Sequence, residues 1–439
     1  MATSLHYVLL LIVSAGLLDA AVLGDLVTSL PGLSFEPAWR HYSGYLNASG
    51  TKRLHYWFFE SADSPSTDPV LLWMNGGPGC SSLVGLFTEN GPFRVMLNGT
   101  VVYHEGSWNE IANVLYLEAP AGVGMSYSDD KYYRTNDDET ASDNYLAIKD
   151  FFSKYPEYSK NSFYVTGESY GGIYVPTLSA LVVRDPTINF KGMAIGNGMS
   201  NYDKNENAHV YLAYYHGLIG DSLWRDLINS CCNGTLEERC MFTLHQDRPH
   251  CKDAFNTAHH IVFEGQLNFY NVYHECRNSI SLPVDKLKIS MGCLDTTSVD
   301  RYLNTPEVRK AIHVPDFVPR WEVETPAVML HYTEVYPDLS AQHREVLEAG
   351  KRIMMYNGDV DFACDFLGES WFVEDLGLEL VSGRKMWYYT AQDGTTQVAG
   401  FITKYKNYDL VTVRGGGHLS PADKPFEVLQ MMKNFLVGE

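Results

Sequence analysis

Basic residues are scarce in this chain: Lys and Arg number 33 against 53 Asp and Glu, a formal net charge of -20 at pH 7. Such a surface repels phosphate backbones and anionic lipid headgroups, so neither nucleic acid nor a membrane is an expected partner. The charge serves solubility, and an acidic compartment would neutralise part of it. Long hydrophobic runs are scarce too. After residues 5 to 18, Leu-His-Tyr-Val-Leu-Leu-Leu-Ile-Val-Ser-Ala-Gly-Leu-Leu, no stretch reaches the roughly 20 apolar residues of a membrane span. That first run is itself short for a span. With the small residues Ala20 and Ala21 behind it, it reads as a signal peptide over residues 1–21, although no Lys or Arg precedes it. Low-complexity tracts are missing, and 45% hydrophobic with 20% charged residues describes a folded globular chain. A Lys-Asp-Glu-Leu ending is missing as well, so a lysosomal or secreted protein is expected rather than one retained in the endoplasmic reticulum.

What is present fits that route. Glycosylation sequons stand at Asn47, Asn98 and Asn233. Of the 8 cysteines, six fall between Cys231 and Cys293: Cys231, Cys232, Cys240, Cys251, Cys276 and Cys293. The adjacent pair and the irregular spacing do not match a zinc module, which leaves a disulfide-stapled subdomain and no metal or other cofactor.

Short apolar runs ending in glycine or a small polar turn recur along the chain, the pattern of buried parallel strands whose C-terminal ends carry loops. The clearest are 70–74 before Asn75-Gly-Gly-Pro-Gly, 114–117 before Ala119-Pro-Ala-Gly, 163–166 before Gly167, 353–356 before Asn357-Gly-Asp, and 410–413 before glycines 415 to 417. Helical patterns lie between them at 140–155, 173–183 and 425–436. This alternation predicts a mostly parallel sheet covered on both faces by helices, an α/β fold. From about Ser200 to Tyr332 the rhythm breaks, predicting one core in two parts, 22–199 and 333–439, around an inserted cap at 200–332. Ligands of open α/β sheets gather at the carboxyl ends of the strands, where these loops converge.

Residues 167 to 171 read Gly-Glu-Ser-Tyr-Gly, a G-x-S-x-G turn between a strand and a helix. It lifts the Ser169 hydroxyl free to attack and offers the Tyr170 N–H to a developing oxyanion. The base is expected at His418, in Gly415-Gly-Gly-His-Leu-Ser-Pro. The orienting acid should lie between them in sequence. Asn357-Gly-Asp-Val-Asp offers Asp359 and Asp361, and position does not choose between them. The glycine-rich turn after Trp73 and Asn75 offers a second oxyanion N–H, at Gly77.

These segments, together with His41-Tyr-Ser-Gly-Tyr-Leu, Leu72-Trp-Met-Asn-Gly-Gly-Pro-Gly-Cys-Ser-Ser, Ala119-Pro-Ala-Gly-Val-Gly-Met-Ser-Tyr and Gly196-Asn-Gly, resemble the serine carboxypeptidase family nearly end to end. The resemblance implies an α/β-hydrolase fold and makes Asp361 the triad acid, with Gly77 and Tyr170 forming the oxyanion hole. It implies that Asn75, Glu168 and Glu89, with Trp73 beside them, hold the substrate's terminal carboxylate. A glutamate there must be protonated to donate to that anion, and paired carboxyls have raised pKa values, so an acidic optimum follows. The resemblance also implies the disulfides Cys231 with Cys251, Cys232 with Cys240, and Cys276 with Cys293, a homodimer, and a second role in binding and stabilising lysosomal glycosidases.

Three departures stand out. No cysteine near Trp321-Glu-Val-Glu can pair with Cys80, which leaves Cys80 and Cys364 as expected free thiols. The segment between Cys276 and Cys293 is shorter than the excised one of related two-chain enzymes. Val84 and Leu419 replace an acidic residue and a methionine near the leaving-residue pocket, favouring apolar C-terminal residues in peptide substrates. The rival readings are an acyltransferase that keeps the triad and a general esterase.

Overall fold

The computed structural model describes residues 23–236, 239–264, 267–276 and 293–438; the expected signal peptide lies outside them. An 11-stranded sheet forms the spine. Its strands are β1 (His41–Asn47), β2 (Lys52–Phe59), β3 (Val70–Met74), β4 (Asn113–Leu117), β5 (Tyr127–Ser128), β6 (Phe163–Ser169), β7 (Phe190–Gly198), β8 (Arg352–Gly358), β9 (Leu380–Thr390), β10 (Thr396–Tyr405) and β11 (Tyr408–Val413). They run in the order β1-β2-β4-β3-β6-β7-β8-β11-β10-β9, with β5 beside β2. From β4 to β11 every pairing is parallel. Antiparallel pairs close both edges, β1 and β2 on one side, β9 and β10 on the other.

The alternation within β3 shows how the sequence divides the core. Val70, Leu72 and Met74 enter one hydrophobic cluster, and Leu71 and Trp73 the other. Both faces are therefore dry, as a parallel sheet between helical layers requires. Helices α1 (Asp137–Lys154) and α2 (Gly171–Val182) cover the first face through Ile148, Phe151, Ile173 and Leu178. The C-terminal helix Pro425–Val437 covers the second through Met431, Met432 and Phe435.

Between β7 and β8 the chain leaves the sheet. Helices α3 (Tyr202–Tyr215), α4 (Asp221–Cys231) and α5 (Pro249–Phe263) pack around a third cluster that includes Tyr211, Trp224 and Phe255. Disulfides Cys231–Cys251 and Cys232–Cys240 staple the end of α4 to α5 and to the segment before it, and Cys276–Cys293 closes the following stretch. Cys80 and Cys364 are buried free thiols. Among the described residues no helix is long and apolar enough to cross a membrane, and no group of His, Cys, Asp or Glu is arranged to hold a metal ion.

Candidate active site

Ser169 ends β6 with φ at +61°, a left-handed conformation that costs a non-glycine residue on the order of 1–3 kcal/mol and must be held by its surroundings. The turn is held by close packing. A Cβ on Gly167 would meet the Met74 carbonyl oxygen at 2.5 Å, and one on Gly76 would run into the Tyr170 backbone nitrogen. The glycine-rich loop after β3 thus lies directly against the serine turn, and α2 starts at once behind it.

His418 follows the glycine run after β11. A Cβ on Gly417 would collide with the Tyr270 carbonyl oxygen, which accepts from the His418 N–H at 2.7 Å. The Tyr270 ring stacks on the imidazole with centroids 4.6 Å apart. His418 Nδ1 lies 2.8 Å from Asp361 Oδ2, both side chains buried. A carboxylate only accepts, so Nδ1 carries the proton, and Nε2 is left as the acceptor. Asp361 also accepts from Asn197 Nδ2 at 2.8 Å, the Ala363 N–H at 2.8 Å and the Cys364 N–H at 3.1 Å. Asp359, the alternative that position left open, turns away: its carboxylate accepts from the Gly415 N–H at 2.6 Å. It shapes the turn before the histidine.

Beside Ser169 sits a group of buried carboxyls. Asn75 Nδ2 donates to Glu168 Oε1 at 2.8 Å and to Glu89 Oε1 at 3.0 Å. The second oxygen of each glutamate finds no donor among the described residues. Burial, then the neighbouring Glu89 carboxyl, pushes Glu168 well above the ordinary glutamate range, and burial raises Glu89. One proton between the two carboxyls resolves both facts, because two charges cannot share a dry site. Trp73 Nε1 and the Gly85 N–H donate to Asn75 Oδ1 at 2.8 and 3.0 Å, which fixes the amide with its NH2 toward the glutamates.

One cleft gathers Asn75, Gly77, Glu168, Ser169 and His418, with Cys80 and Tyr270 in its walls. Glu89 and Trp73 stand behind Asn75, fully buried, so the tryptophan orients the amide instead of lining the cleft. Tyr170 turns its phenol away to Asp137 Oδ1 at 2.8 Å, leaving only its backbone near the site. Sequence reasoning missed two contributors. Asn197 holds Asp361 while its own Oδ1 accepts from the Gly358 N–H and Ser420 Oγ, and its φ of +40° belongs to the Gly196-Asn-Gly segment, which carried the only signal. Tyr270 reaches His418 from the stretch between β7 and β8, and nothing local marks it.

The serine carboxypeptidase family model matches residues 31–438. The chain belongs to the serine carboxypeptidase family. Lysosomal protective protein of Mus musculus is 43% identical, the match covering 98% of this chain and 97% of that one. Serine carboxypeptidase-like 20 of Arabidopsis thaliana is 31% identical over 96% of this chain and 94% of its own length. In structure, a prohormone-processing carboxypeptidase from Saccharomyces cerevisiae, KEX1(delta)p, superposes with a TM-score of 0.77 at 21% identity, covering 95% of this chain and 96% of that one. The fold is that of the α/β-hydrolases, and the enzyme is a serine-type carboxypeptidase.

Proposed function

We propose that this serine carboxypeptidase removes C-terminal residues from peptides at acidic pH, with Ser169, His418 and Asp361 as its triad. The observation that carries the reading is the Asn75, Glu168 and Glu89 group beside the serine turn. Its shared proton is a donor suited to a peptide's terminal carboxylate, and the Asn75 amide holds the two carboxyls that share it. That anchor puts the last peptide bond over Ser169. Ser169 Oγ attacks the scissile carbonyl as His418 Nε2 takes its proton, and the Gly77 and Tyr170 N–H groups receive the negative oxygen. The C–N bond then breaks, His418 returns the proton to the leaving amine, and water repeats the sequence on the acyl-enzyme. Asp361 stabilises the imidazolium.

Residues 200–332 are read as an inserted cap that roofs this cleft, Tyr270 being its contact with the base. Val84, fully buried, and Leu419, nearly so, favour apolar C-terminal residues. A lysosomal site of action, a homodimer and the binding of lysosomal glycosidases rest on likeness to the protective protein. Association of Ser169→Ala with such glycosidases at acidic pH tests the last of these, and its absence removes it.

The pH dependence follows from sign. Glu168 and Glu89 hold their proton below their raised pKa values and lose it as pH rises, after which two carboxylates face the substrate's own. KM should therefore climb as pH rises through those raised values. Glu168→Gln, which donates at every pH, should flatten that climb; identical KM profiles for mutant and wild type would refute the anchor. Digestion of peptides across pH, with mass detection of each released residue, tests the activity. Ser169→Ala should be inert, and little free amino acid from wild type would favour an acyltransferase.

A further inference from the structure

A second buried acid lies behind the proposed oxyanion loop. Glu118 follows β4 directly and is fully enclosed, as is His55, whose Nδ1 stands 2.8 Å from Glu118 Oε2. The Met125 N–H donates to the same oxygen at 2.9 Å. On the other oxygen, Trp321 Nε1 donates at 3.0 Å and Ser81 Oγ donates as well. Trp321 Nε1 also reaches Ser81 Oγ at 3.0 Å. A Cβ on Gly124 would collide with the Glu118 carboxylate, so the loop after β4 is moulded on it.

These contacts join three segments. Ser81 belongs to the loop that carries Gly77, Met125 and Gly124 to the loop after β4, and Trp321 to a segment that lies along the first loop. Along that seam the Ser81 N–H donates to the Val323 carbonyl at 2.9 Å and the Thr325 N–H to the Gly79 carbonyl at 3.1 Å. At its near end the loop is tied by the Asn75 N–H, which donates to Ser82 Oγ at 3.1 Å. Glu118 is absent from the cleft wall. A buried polar group without a partner is costly, so one carboxyl accepting from donors on three segments defines one arrangement of all three.

We propose that Glu118 is a positioning residue for the reaction, setting through Ser81 the place of the Gly77 N–H relative to Ser169. The inference rests on the reading of Gly77 as an oxyanion donor. It acts on the acylation step and leaves the terminal-carboxylate anchor alone, because the Asn75 side-chain amide is fixed separately by the Trp73 indole and the Gly85 N–H. Loss of one oxyanion donor costs roughly 100- to 1000-fold in rate, and a displacement of about 1 Å can cost about 100-fold.

The test uses Ser81→Ala and Glu118→Gln in the full chain. The readouts are kcat on a blocked dipeptide, the rate at which a fluorophosphonate labels Ser169, and the Ki of the free C-terminal amino acid, the leaving product that carries the substrate's terminal carboxylate. Both variants should lose about 10-fold or more in kcat and in labelling rate, with Ki within about threefold of wild type. Labelling at the wild-type rate overturns the inference, as does a Ki that moves in step with kcat. Should Glu118→Gln fail to fold, Ser81→Ala, which removes a single hydroxyl, decides alone. Turnover by Ser169→Ala would instead overturn the site reading, and so separates the two failures.

Discussion

Replacing Glu369 with glutamine should remove a pH dependence of stability that this one side chain imposes. Glu369 lies in the helix Phe366–Asp375, nearly inaccessible to solvent. Its Oε1 accepts from the Ser200 N–H at 3.1 Å, and its Oε2 has no partner among the described residues. Burial pushes its pKa up to about 8, from 4.5 for an exposed glutamate. A carboxyl raised in this way keeps its proton in the folded protein where the unfolded chain has lost it. Its contribution is whole below the unfolded value and drains away as pH rises toward about 8. Each pH unit in that window is worth about 1.4 kcal/mol per extra proton bound, which integrates to about 4 kcal/mol between pH 4 and 8. Water entering beside the ionised carboxyl lowers that ceiling, so about 2–4 kcal/mol is the working range. Glutamine can accept from Ser200 and cannot ionise. Urea unfolding at fixed ionic strength with disulfides intact, repeated from pH 5 to 8, should therefore show the mutant gaining on wild type by most of that amount. His209 and His343, both buried and lowered to about 3, have the opposite slope, losing stability as pH falls below 6.5; they are common to both proteins and cancel in the difference. Parallel curves for the two proteins would refute the reasoning.

Two further substitutions probe the cleft. Asp361→Asn should lower kcat by about 10⁴ by disturbing the His418 tautomer, whereas Asp359→Asn, whose side-chain oxygen can still accept from the Gly415 N–H, should stay within a few-fold of wild type; equal losses in a peptide-release assay would contradict this division. Gly76→Ala drives a methyl group into the Tyr170 backbone nitrogen, so fluorophosphonate labelling of Ser169 should slow by about 100-fold, the cost of a displacement of about 1 Å, and labelling at the wild-type rate would show that the loop and the serine turn are not in contact.

Five of the six central parallel strands could be read to within a few residues because they are dry on both faces and end in glycine turns; β3, buried throughout, is Val70–Met74 in sequence pattern and structure alike, whereas β7, its short apolar run broken by Gly192 and Gly196, was not singled out. The edge strands were not legible in this way. In β9, Leu380–Thr390, only Trp387 is buried, and the strand exists because β10 pairs with it. The helices α3 to α5 hide for another reason. Their apolar residues serve a separate core with Phe362 and Trp371, so no strand-helix rhythm announces them. Within the cleft, Ser169 and His418 were visible because glycines crowd the turns that carry them. The choice of Asp361 over Asp359 depends on which carboxyl bends toward a histidine from another strand's loop, and two residues of spacing hold no information about that. Trp73 was grouped with the substrate contacts, yet its indole N–H points at Asn75, a relation that appears only once β3 and its loop are folded.

An acidic chain that buries several of its carboxyls has to dispose of their charge, and it does so in two ways. Asp361 and Glu118 each accept from donors on both oxygens, contributed by separate stretches of chain. Glu168, Glu89, Asp365 and Glu369 each leave one oxygen without a hydrogen bond, and burial raises all four. The count of donors thus separates acids that hold loops in place from acids that must carry a proton. Glu168 and Glu89 lie beside the serine turn, while Asp365 and Glu369 lie just past the Asp361 loop, with Asn205 of α3 accepting from the Asp365 N–H. A rise in pH would therefore weaken substrate anchoring and the packing behind Asp361 together, for the same physical reason: each pair is stable only while protonated. That coupling predicts an enzyme whose alkaline limit is set by buried acids on both sides of its triad, and Glu168→Gln with Glu369→Gln in one chain should extend activity upward in pH further than either change alone.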